Sequence, residues 1–190
     1  MLPSPVNESR NYKINKPDMI LRTFFVLLFT MLFSLSGFAQ QRLLIPMDAS
    51  QTNHLKAYGI IFNNLQDGNS SEWLLNYKGG SFMTGYSDEL MRKCRLRNVK
   101  AKVISGQEAS QLITKVEQTN SNTSVIKLDK APKIAVYTPK QALPWDDAVT
   151  LALNYAEIEY DKVWDPEVLN GELSKYDWLH LHHEDFTGQY

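Results

Sequence analysis

Short apolar runs alternate with longer segments of helical periodicity from residue 42 onward, and this alternation constrains the fold more than any other feature. Runs such as 42–46 (RLLIP), 101–104 (AKVI) and 133–139 (KIAVYTP) have the length of buried strands. Residues 54–68 and 144–158 have helical periodicity instead. Strands that alternate with helices predict an α/β fold, with mostly parallel sheets covered by helices on both faces, of the Rossmann or flavodoxin-like type.

The two longest helical segments each carry a predicted apolar stripe. In the first segment the stripe contains Leu55, Tyr58, Phe62 and Leu65, and in the second it contains Ala148, Leu151, Ala152 and Tyr155. Because residues three or four apart share a helix face, both stripes are expected to face the sheets.

The pattern restarts after residues 131–132, and this break divides the chain into two predicted domains. Residues 40–130 are the predicted N-terminal α/β domain, and residues 131–190 are the first part of a second α/β domain. The second domain supplies strand, helix, strand, helix and strand, whereas doubly wound domains usually continue to five or more strands. We therefore expect a truncated second domain. A complete small protein with an exposed last strand is the alternative.

Residues 1–39 differ in composition from the rest and indicate export. An apolar run at 24–35 follows a positive flank, and small residues then lead to a predicted signal-peptide cleavage between Ala39 and Gln40. Met19 begins a compact signal peptide by itself and is the alternative start, while a retained anchor helix is the alternative to cleavage. The mature chain is expected in the periplasm or outside the cell, without membrane association after cleavage.

Charge and cysteine content exclude several classes of function. A formal net charge of −1 gives no basic surface for nucleic acid, and no lysine run suits anionic lipid. Cys94 is the only cysteine, so no disulfide within the chain is possible, and a buried packing thiol is expected. An unidentified small molecule or peptide remains the expected partner, and no cofactor is indicated.

Polar residues follow the predicted strands, and open parallel sheets bind ligands beyond the carboxyl ends of their strands. Asp48 follows the first strand, and Gly79 and Gly80 follow the second. The two glycines would let backbone amides approach an anion. Asp48, Gly79 and Gly80 are therefore candidate ligand-binding residues, Asp48 because of its position after the first strand. A plain tight turn is the alternative for the glycines.

The last predicted strand (DWLHLHH) leads into the densest group of titratable side chains. His183 is a candidate general base that Glu184 or Asp185 would orient, and His182 is a candidate ligand-binding residue beside them. His180 and His182 share a strand face and could hold a metal ion, but no third ligand can be named, so no metal is assigned. For His180 itself, flanked by Leu179 and Leu181, the expected position is a hydrogen-bonded one in the core, and the metal site is the alternative.

Five segments in order along the mature chain carry a family resemblance. They are MDASQTNHLKAYG, WLLNYKGGSF, APKIAVYTP, PWDDAVTLALNYAEI and YDWLHLHHEDFTGQY. Together they resemble a family of exported bacterial proteins commonly labelled asparagine synthetase B, whose members run roughly twice this length. The label is not matched by the residues, because the N-terminal cysteine nucleophile and the pyrophosphate loop of glutamine-hydrolysing synthetases are both absent from the sequence.

The second predicted domain resembles the front of a class I glutamine-amidotransferase-like domain with a flavodoxin-like fold. The resemblance implies that the loop carrying His183, Glu184 and Asp185 faces the active-site cleft. It places the nucleophilic cysteine on a later strand-to-helix elbow, which Cys94 does not match. Amide-bond hydrolysis is therefore expected only of a full-length form, and residues 1–190 alone are expected to be inactive. A non-catalytic periplasmic or surface binding module on the same scaffold is the alternative.

Overall fold

The computed structural model describes Phe24, residues 40–118 and residues 122–181. The described residues from 40 to 181 form one compact unit. Its strands are β1 (Arg42–Ile45), β2 (Ser71–Leu75), β3 (Ser81–Gly85), β4 (Lys102–Ile104), β5 (Ser124–Leu128), β6 (Ile134–Tyr137), β7 (Asp161–Val163) and β8 (Trp178–Leu181). Its α-helices are α1 (His54–Gln66), α2 (Asp88–Leu96), α3 (Gly106–Gln118), α4 (Ala148–Ala156) and α5 (Asp165–Leu169). Two 3₁₀ turns, Pro144–Asp146 and Glu172–Lys175, precede α4 and β8 respectively.

Five strands form an antiparallel sheet in the order β4-β1-β3-β2-β5, in which every neighbouring pair is antiparallel. Along the chain the elements follow in the order β1-α1-β2-β3-α2-β4. In the sheet, β3 lies between β1 and β2, and β1 lies between β3 and β4. This is the split βαβ order of ferredoxin-like domains. The predicted mostly parallel, Rossmann or flavodoxin-like fold is therefore wrong.

The hairpin of β2 and β3 accounts for the error. Residues 81–85 (SFMTG) pair with β2 in the register Trp73↔Phe82, although their composition does not stand out as a strand. Ser81 and Thr84 are buried in this strand because their hydroxyls are satisfied, Ser81 by the carbonyl of Tyr77 and Thr84 by neighbouring side chains and backbone. The sequence-based prediction lacked β3 and therefore expected parallel strands. In the structure β3 lies between β1 and β2 and is antiparallel to both, so the sheet is antiparallel.

The second sheet is small and parallel. Strand β6 lies between β7 and β8, with Ala135 opposite Asp161 and Val136 opposite His180. Helix α4 connects β6 to β7 and packs Leu153 against Val136. The described part of the chain therefore combines one antiparallel and one parallel sheet.

Helix α1 packs against both sheets. Its residues Ala57, Ile60 and Ile61 lie in the core under the antiparallel sheet, while Phe62 lies in the core cluster of β6 and α4. A Cβ atom at Gly59 would lie only 1.7 Å from the carbonyl oxygen of Ala156, so glycine is what lets α1 and α4 approach this closely.

The predicted apolar stripes match the buried helix faces only in part, because Phe62 and Leu65 of α1 are buried as predicted. Leu55 and Tyr58 of α1 and Leu151 and Tyr155 of α4 are 43–50% exposed. The buried positions are Ala57, Gly59, Ile60, Ile61, Phe62, Asn64 and Leu65 in α1, and Thr150, Leu153 and Ala156 in α4. Helix α4 therefore buries a different face from the predicted one, whereas α1 buries Ile60 and Ile61 beside the predicted Phe62 and Leu65. Among the described helices, none has the length and apolar character needed to cross a bilayer.

Candidate functional site

An aspartate and a histidine meet at the carboxyl-terminal edge of the parallel sheet. His180 lies on β8, and its Nε2 atom is 3.2 Å from Oδ1 of Asp147. Asp147 is the N-cap of α4, and the same oxygen accepts hydrogen bonds from the backbone N–H groups of Val149 at 2.6 Å and Thr150 at 3.1 Å. The loop from β6 thus ends in a helix cap that also holds an imidazole.

The contact pairs Nε2 of His180 with a carboxylate oxygen of Asp147. An ionised carboxylate only accepts hydrogen bonds, so with Asp147 ionised the Nε2 atom is the donor. In the neutral ring, Nδ1 then keeps the lone pair that can take up a proton. The side chain of Asp147 is 8% exposed and that of His180 is 20% exposed. An imidazole oriented by a buried carboxylate is the arrangement that general bases use.

A buried hydroxyl lies next to this pair in the sheet register. Thr138 follows β6, is 1% exposed, and its Oγ1 has no hydrogen-bond partner within the described part of the chain. Its backbone N–H continues the ladder to the carbonyl of Val163 at 3.0 Å. Because side chains alternate along a strand, Thr138 shares a face with Val136, whose register partner is His180. An unpaired buried hydroxyl is costly, so a polar atom is expected to meet it.

Cys94 does not contribute a nucleophile. It is fully buried in α2, and this burial raises the pKa of the thiol to about 11. The predicted packing thiol is therefore confirmed. Across residues 40–118 and 122–181, no three histidine, cysteine, aspartate or glutamate side chains come together in a way that could hold a metal ion.

The structure brings Asp48, Gly79 and Gly80 together at the carboxyl end of β1. The turn between β2 and β3 abuts this end, with the N–H of Met47 donating to the carbonyl of Lys78 at 3.0 Å. A Cβ atom at Gly79 would lie 2.3 Å from the carbonyl oxygen of Met47, and both glycines have positive φ angles of 77° and 87°. The two glycines therefore serve a tight turn that packs against β1.

Asp48 directs its carboxylate into its own loop. Oδ1 accepts from the backbone N–H of Ser50 at 3.0 Å and from its hydroxyl at 2.5 Å. The hydrogen bond from the Ser50 hydroxyl, then that from its backbone, and to a smaller extent the charges of Lys78 and His54, lower the pKa of Asp48. The carboxylate is thus ionised, but local hydrogen bonds occupy one of its oxygens.

The remaining predicted site residues lie outside the described residues. They are His182, His183, Glu184, Asp185 and Ala39. Strand β8 ends at Leu181, immediately before the predicted catalytic group, whose role stays a prediction. Gln40, on the other side of the predicted cleavage, is the first residue of the compact unit and is exposed.

The pair of Asp147 and His180 was not predicted from the sequence. The available signal was the motif PWDDAV, in which an aspartate precedes an apolar helical segment and is therefore a good N-cap. The sequence does not show which strand ends beside that cap, so it could not identify His180 as its partner.

Comparison with known proteins finds no match, whether among family models, curated proteins or solved structures. The family resemblance of the five sequence segments therefore stays a prediction. The chemistry of the described residues must carry any functional conclusion.

Proposed function

We propose that this chain belongs to an exported protein of the family labelled asparagine synthetase B, and that the edge formed by β6, β8 and α4 binds an amide-bearing small molecule or peptide and hydrolyses it. The single observation that carries the proposal is the hydrogen bond between Asp147 and His180. Signal-peptide cleavage between Ala39 and Gln40 would place the mature protein in the periplasm or outside the cell.

Amide hydrolysis needs one proton removed from the nucleophile and one delivered to the leaving nitrogen. The Nδ1 atom of His180 can do both in turn, because Asp147 holds the proton on Nε2 and stabilises the imidazolium that forms. His183, Glu184 and Asp185 begin two positions after the end of β8 in the sequence and are proposed to line the same site.

Residues 1–190 alone are proposed to be inactive. Cys94 is the only cysteine of the chain, and the buried thiol with its raised pKa is a poor nucleophile. The nucleophile would therefore come from a chain segment beyond those described.

The test measures how much ammonia the full-length exported protein releases from glutamine, asparagine and a short peptide amide. Asp147→Asn keeps the helix cap but removes the charge, and His180→Asn removes the base. We expect each to lower turnover about a hundredfold, with a changed pH profile. Asp48→Asn is the matched control and should leave turnover unchanged. Full turnover in the two site variants would contradict the proposed role of the pair.

A non-catalytic binding module is the second candidate function. The burial of Cys94 favours it, because no described thiol is available for covalent catalysis. In that case the same amide panel would bind without any ammonia release, and His180→Asn would weaken binding. Turnover by the wild-type protein would exclude this candidate.

A further inference from the structure

A polar cleft opens at one end of the antiparallel sheet, away from the elements that carry Asp147 and His180. Its volume is about 320 Å³, within the range of small-molecule sites. Strands β1, β2 and β3 and their adjoining loops form it. The lining includes Gln40, Arg42, Asn69, Glu72, Gly85 and Tyr86.

Hydrogen bonds between side chains hold the wall of the cleft in place. Asn64 of α1 is buried and donates to the hydroxyls of Thr84 at 3.0 Å and Ser71 at 3.3 Å. Asn69 in turn donates to Oδ1 of Asn64 at 3.3 Å. Because the polar groups are already fixed to one another, a ligand would meet a pre-formed surface and little ordering would accompany binding.

One cation and one anion line the cleft, and they are paired with each other. Nη2 of Arg42 donates to Oε2 of Glu72, and Nε of Arg42 donates to the backbone carbonyl of Thr84 at 3.1 Å. Both side chains remain about one-fifth exposed, at 23% and 22%. Further guanidinium N–H donors and carboxylate lone pairs are therefore accessible to a ligand, while the charges of the lining side chains cancel each other.

Gly85 leaves open space beside this ion pair. It lies opposite Arg42 in the β1–β3 register, and a Cβ atom placed on it would meet no atom within 4 Å. Its φ angle is not positive, so the backbone accepts any L residue there. Side chains added at this position would enter the cleft without straining the strand.

We infer that this cleft binds a neutral polyhydroxylated ligand of the size of a small sugar. A charged ligand would be attracted by one member of the ion pair and repelled by the other, so the pair gives it little net electrostatic attraction. A hydroxyl group can accept from the guanidinium and donate to the carboxylate without breaking the pair. Asn69, Ser70 and Ser87 add uncharged donors and acceptors around it. The inference is independent of the function proposed for the Asp147–His180 edge.

The test is calorimetric titration of the exported protein, as encoded, with glucose, galactose, xylose and maltose, and with glutamate and phosphate as charged comparisons. We expect at least one neutral saccharide to bind, and neither charged probe to bind more tightly. Gly85→Val should weaken that binding at least about tenfold, and Gly85→Ala should weaken it less. Neither variant should lower the melting temperature.

Glu72→Gln keeps an acceptor but removes the paired charge, and it should also weaken saccharide binding, which provides a second readout if Gly85→Val fails to fold. The His180→Asn variant should bind the saccharide with the same affinity as the wild type, because His180 does not line the cleft. The inference is overturned if no neutral saccharide binds at about millimolar concentration, if a charged probe binds more tightly, or if folded Gly85→Val and Glu72→Gln bind normally.

Discussion

Two aspartates follow the first strand of their respective sheets, and their surroundings differ. Asp48, beyond β1, bonds to Ser50 two residues away. Asp147, beyond β6, is buried, caps α4 and reaches a histidine 33 positions further along the chain. A polar residue that follows a strand is therefore a candidate catalytic residue when its side chain contacts a segment distant in sequence. Its position after the strand is not sufficient.

The largest effect is expected at the turn that abuts Asp48. Gly79→Ala should lower the free energy of unfolding by at least about 3 kcal/mol, because the residue has a positive φ and its Cβ would collide with the carbonyl of Met47. Gly171, between α5 and the 3₁₀ turn Glu172–Lys175, also has a positive φ, but a Cβ there meets nothing within 4 Å. Gly171→Ala should therefore cost only about 1 kcal/mol. Urea denaturation checks both values, and equal losses would show that the collision is relieved by movement of the turn.

A smaller effect is expected from removing the aspartates themselves. Asp147→Ala should lower the free energy of unfolding by about 1–2 kcal/mol, because α4 loses its cap and His180 loses its acceptor. Asp48→Ala should cost less, since its carboxylate is exposed to solvent and bonds only within its loop. Thermal and urea unfolding of the two variants test this order, and a larger loss in Asp48→Ala would reverse the comparison.

The smallest effect concerns pH. Hydrogen bonds from Lys56 and then Arg97 lower the pKa of Glu157 below its usual 4.5. A carboxyl group whose pKa is lower in the folded state stabilises the fold above its unfolded pKa, and this contribution disappears as the pH falls through the folded value. Below about pH 4.5, Glu157→Gln should therefore lose less stability on acidification than the wild type does. If the free energy of unfolding falls equally with pH for both proteins in that range, this role of Glu157 is contradicted.

Local signals predicted several elements correctly, and long-range pairing explains most of the errors. Ser105 and Glu108 have the spacing of a capping box, and the structure shows both reciprocal hydrogen bonds at the start of α3. The apolar runs at 42–46 and 133–139 do contain β1 and β6. These features depend on neighbours within a few residues, so the sequence contains the necessary information.

The sheet order could not be predicted in the same way. The residues of β3 gave no strand signal, because Ser81 and Thr84 are buried through hydrogen bonds that only the folded chain provides. The predicted stripe was wrong for α4 and only partly right for α1 for a related reason, since Gly59 and Ala156 make the contact between the two helices although neither is strongly apolar. The partner of Asp147 depended on the position of β8, which local periodicity does not determine.

The packing of α1 against both sheets has a consequence for how the molecule unfolds. Phe62 lies in the core of the parallel sheet, while Ile60 and Ile61 on the same helix lie in the core of the antiparallel one. Loss of either sheet would expose apolar surface on a helix that the other sheet needs. We therefore expect the two sheets to melt in a single cooperative transition.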